Sequence, residues 1–81
     1  MTRETRERER RLADALIDLY VSWREECSAV ELAYERWREA AKEDREAAFV
    51  AYNLALDREE RASNVYAARI RQATPRILVP V

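Results

Sequence analysis

Glycine and histidine are both absent from this chain of 81 residues, and it holds one cysteine and two prolines. Each absence removes a class of chemistry. Without glycine, every glycine-dependent loop that cradles phosphate is excluded. Without histidine, the commonest general base and metal ligand is missing, and the Glu-x-x-His pairs of helix-bundle di-iron sites cannot be written. One thiol, Cys27, can close no internal disulfide, and alone it cannot complete a structural zinc set. A lone cysteine fits a reducing, cytoplasmic setting. Long apolar runs are missing too. The longest uncharged run in the helical region, from Ala47 to Leu56, is well short of the roughly 20 residues of a membrane helix. Met1 is followed by Thr-Arg-Glu-Thr-Arg-Glu, which is not a secretory leader. No cofactor, metal or small-molecule substrate is expected, no membrane association, and no enzymatic activity.

What is present is helix-forming. Alanine, glutamate, arginine and leucine dominate, and Pro75 and Pro80 both lie in the last seven residues. The fold class is therefore all-α, in a single domain of 1–81. From Leu12 to Ala41 the apolar positions recur at steps of three and four, the mark of an amphipathic helix. Tyr20-x-x-Trp23-Arg24-Glu25 returns as Tyr34-x-x-Trp37-Arg38-Glu39, two heptads later and on one face.

The large side chains also form a mirror about a point near Glu43. Trp37 reflects onto Phe49, Tyr34 onto Tyr52, Val30 onto Leu56, Tyr20 onto Tyr66 and Leu16 onto Ile70. A constant index sum is what two antiparallel helices joined by a tight turn require. The expected hairpin has helix 1 over about 3–41, a turn over about 42–45, helix 2 over about 45–73 and an extended tail over 74–81 that begins at the proline. Its seam is Leu16, Tyr20, Trp23, Val30, Tyr34 and Trp37 against Phe49, Tyr52, Leu56, Tyr66 and Ile70. Small Ser63 and Ala62 lie opposite Trp23. Residues 41–46 break the apolar pattern without Gly, Pro or Asn, so one continuous coiled-coil helix is the competing arrangement. Thr2 or Thr5 can cap the first helix, and Asp44 the second.

A hairpin hides one stripe per helix, and this chain offers more. Leu12, Leu19, Leu32, Val50, Leu54 and Val65 are left as a candidate oligomer interface, with Ile17 and Val21 near them. Ala47, Ala48, Ala51 and Ala55 form a strip of small residues that would let a partner helix approach. Burying several Leu or Val side chains contributes roughly 1.5–3 kcal/mol each, comparable in sum to the stability of a small domain. Self-association is the expected outcome, with a dimeric four-helix bundle as its simplest closed form. Another helical protein would satisfy the same surface.

Charge is uneven beneath a net of −1. Residues 1–11 carry five arginines against three glutamates, and residues 69–81 add three arginines and no acid. A hairpin gathers them at one end as a formal +5, leaving −6 on the rest. Arg3, Arg6, Arg8, Arg10, Arg11, Arg69, Arg71 and Arg76 are thus the candidate contacts for a polyanion, and a nucleic-acid-associated regulator is the alternative function. No DNA-reading motif accompanies them. Carboxylates at helical spacing (Glu31 with Glu35, Asp14 with Asp18) read as solvated faces, and Cys27 as a small seam residue.

Overall fold

A computed structural model describes residues 2–77, with side chains through residue 73. All regular structure among the described residues is helical: α1 (Arg3–Glu39), a 3-10 turn (Lys42–Asp44) and α2 (Arg45–Ile77). The two long helices lie side by side and antiparallel. Rings of α1 meet rings of α2 along the length of the pair, from Trp37–Phe49 beside the turn to Tyr20–Tyr66 towards the open end. The molecule measures 62 × 19 × 14 Å. The chain is folded back, not a single continuous rod.

Helix α1 starts at Thr2, whose extended backbone and hydroxyl oxygen form an N-cap. That oxygen accepts from the Thr5 amide at 3.2 Å, satisfying one of the four amide donors left open at a helix start. Its end explains how a chain without glycine reverses. Ala40 (φ −64, ψ 140) and Ala41 (φ −64, ψ 159) are both extended. The Ala40 amide donates to the Trp37 carbonyl and the Asp44 amide to the Ala41 carbonyl. No described residue takes a positive φ, so nothing in the bend needs a residue lacking Cβ. Asp44, offered by the sequence as a cap, is the last residue of the 3-10 turn and directly precedes α2.

The sequence places the end of helix 2 at 73 because of Pro75. The structure corrects this: α2 continues to Ile77. Proline removes the single amide that would reach back to the carbonyl of Arg71. The helix ends two residues beyond Pro75. Residues 78–81, the remainder of the expected tail, lie outside the described residues.

Between the helices, the half-buried residues trace two rows at alternating steps of three and four. On α1 the row runs Leu12, Leu16, Leu19, Trp23, Glu26, Val30, Ala33, Trp37, Ala40. On α2 it runs Ala48, Tyr52, Ala55, Glu59, Ala62, Tyr66, then, past exposed Arg69, Ala73. Alternation of this kind is the coiled-coil pattern. Two residues are fully buried among those described, Ala55 and Ala73, each 1% exposed. The core is therefore one layer thick, and no large side chain is wholly enclosed. The chain exposes 6799 Å², whereas a compact monomer of 9.6 kDa would expose about 5,100 Å².

Candidate interaction surface

Two aromatic clusters hold the pair of helices together, about 21 Å apart along the axis by the fourteen-residue repeat. Beside the turn, Trp37 stacks on Tyr52 (5.5 Å between centroids, 16° between planes) and touches Phe49 at 5.0 Å, while Tyr34 packs on Tyr52 at 5.7 Å. Towards the open end, Trp23 stacks on Tyr66 (5.9 Å, 19°) and Tyr20 meets Tyr66 at 5.7 Å. Each such pair contributes about 0.5–1.5 kcal/mol beyond its area. Glu26 and Arg58 bridge the helices with a 3.3 Å ion pair, partly exposed and worth less than about 1 kcal/mol.

These contacts bring three of the mirror pairs into direct ring contact: Tyr20–Tyr66, Tyr34–Tyr52 and Trp37–Phe49. They also move the axis of the seam on α2. The expected line through Phe49, Leu56 and Ile70 is one residue off, and the central row runs through Ala48, Ala55 and Ala62. The reason is size. Alanines let the backbones approach, and the rings of α1 spread over them. Ala55, read from the sequence as open to a partner helix, is thereby enclosed within the hairpin. Ser63 and Ala62 are both half-buried, as a site opposite an indole requires.

The displaced residues form a flank. At seven-residue steps α1 presents Ala13, Tyr20, Cys27 and Tyr34, and α2 presents Phe49, Leu56, Ser63 and Ile70. None of these eight carries a charge. Tyr20, Tyr34, Phe49, Leu56 and Ile70 are 38–45% exposed, and Ile17 beside them 59%. Ile17 and Tyr20 share a shallow groove with Leu16 and Tyr66. Cys27 sits midway along the flank, half-buried. The opposite flank is different. It carries Ala15, Ala29 and Val65, but also Arg36, Arg58 and Gln72.

The six residues expected as an oligomer interface do not form one patch. Leu12 and Leu19 are half-buried in the central row, Leu19 sharing a groove with Val65 and Ala15. Leu32, Val50, Leu54 and Val65 are 51–53% exposed, on different faces of their helices. The signal that sequence reading passed over was the heptad of alanines at 48, 55 and 62, together with the uncharged rows one residue further on.

At the open end, Arg8, Arg11 and Arg69 line one groove with Leu12, Ala15 and Gln72. Arg3, Arg8 and Arg11 line a second with Glu4 and Glu7, and Arg11 pairs with Glu7 at 3.6 Å. Arg6, Arg10 and Arg71 are exposed; Arg76 lies in the last turn of α2, beyond the described side chains. Glu31, Glu35, Asp14 and Asp18 are all exposed. No group of three or more potential metal-ligating side chains occurs among the described residues, and no helix there is long and apolar enough to cross a membrane. One buried polar atom among the described residues has no partner, Nε1 of Trp23.

No protein-family model, curated protein or solved structure matches this chain.

Proposed function

We propose that the chain is a non-enzymatic interaction module that self-associates, as a dimer, through the apolar surface its hairpin leaves uncovered. The observation that carries this reading is area. The exposed surface of 6799 Å² exceeds that of a compact monomer by roughly 1,700 Å². A standard interface takes about 800 Å² from each partner, so the surplus is large enough for an extensive one. A hairpin whose only enclosed side chains among those described are two alanines also lacks the core that small domains need. Pairing two hairpins into a four-helix bundle gives each a second layer. The single cysteine is what supports a cytoplasmic setting. Light scattering across a concentration series tests the reading: a mass twice 9.6 kDa is expected, and a strict monomer at high concentration overturns it.

A second reading rests on the basic end, where Arg8, Arg11 and Arg69 share one groove. A polyanion such as duplex nucleic acid would be held there by phosphate contacts and would leave steeply as salt rises. Fluorescence anisotropy with random duplex at low salt decides it. No binding under those conditions removes this reading.

A further inference from the structure

We infer that the uncharged flank carrying Tyr20, Cys27, Tyr34, Phe49 and Leu56 is the face on which a second copy of this chain docks, in reverse orientation, with the two Cys27 side chains facing each other at the two-fold axis. This rests on the self-association proposed above and specifies its geometry.

Three observations choose the face and the orientation. First, the row of every seventh residue on this flank (Ala13, Tyr20, Cys27, Tyr34 on α1 and Phe49, Leu56, Ser63, Ile70 on α2) carries no charge, whereas the matching row on the other flank carries Arg36 and Arg58. An interface core excludes charge and favours tyrosine and phenylalanine. Second, the flank repeats symmetrically. Tyr20 and Tyr34 are equidistant from Cys27, and Leu56 and Ser63 straddle the midpoint of the α2 row. A two-fold axis through Cys27 therefore lays Tyr20 on the partner's Tyr34 and Leu56 on the partner's Ser63. Large side chains meet rings or small residues throughout, as an isologous contact requires.

Third, charge sets the direction. The open end has a formal +5, while residues 39–46 around the turn hold four acids against two bases. Docking with both turns at one end would press +5 against +5 within a Debye length of about 10 Å. The reversed arrangement instead sets each basic open end alongside the partner's acidic turn. It also lays α1 on the partner's α1, which brings the cysteines together; the same-direction arrangement lays α1 on the partner's α2 and keeps them apart.

Oxidation of the full-length protein with copper phenanthroline, followed by non-reducing electrophoresis, reads the cysteine contact without any substitution. A fast, near-complete covalent dimer is expected. Its loss is expected in Tyr34→Glu and not in Leu54→Glu, with helicity by circular dichroism as the control for folding. In a Cys27→Ser background, a spin label at Glu43→Cys reads the direction. Reversed docking puts the two labels at least about 36 Å apart, from the helix between Cys27 and Glu39 on each side of the axis, and same-direction docking puts them within about 20 Å, two helix diameters. A dimer by light scattering that does not cross-link at Cys27, or whose turn labels lie close, overturns this geometry and leaves self-association standing. A monomer at high concentration overturns both.

Discussion

The indole of Trp23 lies stacked on the ring of Tyr66, with 5.9 Å between centroids, and its Nε1 is buried with no acceptor among the described residues. A buried donor left unpaired costs about 1–3 kcal/mol. Trp37 makes the matching stack on Tyr52, but its N–H is not among the buried polar atoms without a partner. Trp23→Phe therefore removes a liability along with its packing, and Trp37→Phe removes packing alone. Urea denaturation should show Trp23→Phe as the milder change, by about 1 kcal/mol. Equal losses would mean that the Trp23 donor is satisfied in solution.

The enclosed alanine of α2 gives a sharper test of packing. Ala55 is 1% exposed, so Ala55→Leu forces extra methylenes between the helices and should cost about 1–3 kcal/mol. Ala47 is on the exposed side of the same helix. Ala47→Leu should stay within about 0.5 kcal/mol of the parent, as surface changes usually do. Thermal melts at one protein concentration compare them, and a neutral Ala55→Leu would contradict the alanine row.

The bend makes a prediction of opposite sign at two adjacent residues. Ala41 has φ −64 and ψ 159, and Ala40 before it is also extended, which is the pair of conformations an X-Pro step prefers. Ala41→Pro should stabilise by about 0.4–1 kcal/mol by narrowing the unfolded ensemble. Ala40→Pro deletes the amide that donates to the Trp37 carbonyl and places proline after helical Glu39, so it should destabilise. Denaturant midpoints for the two variants should move in opposite directions.

The ion pair between Glu26 and Arg58 is expected to matter little. Its side chains are 32% and 48% exposed, so a double-mutant cycle with alanine at both positions should return less than about 1 kcal/mol of coupling. A larger coupling would show that solvent is excluded there, for instance by a second copy.

The reversal of the chain was legible because ring-bearing residues keep a constant index sum across it, and three of those pairs touch. The rotation of α2 was not. Aromatic side chains reach several ångströms from their Cβ atoms, so Phe49 can contact Trp37 from a flank. Weighting positions by side-chain size then moves the inferred axis off the small residues that mark it. The end of α2 was misplaced for a different reason. Proline was read as an immediate stop, whereas Pro75 lies two residues before the last helical residue. The uncharged flank was hidden in plain view, its tyrosines and phenylalanine having been assigned to the seam.

Ala40 and Ala41 have φ values that a helix would also accept, and depart from it in ψ alone. Nothing covalent or stereochemical latches the two arms shut. What holds them side by side is packing along their length, the aromatic clusters above all, and not the conformation of the corner. Damage to the aromatic clusters would thus be felt as a change of shape, and only secondarily as a loss of helix.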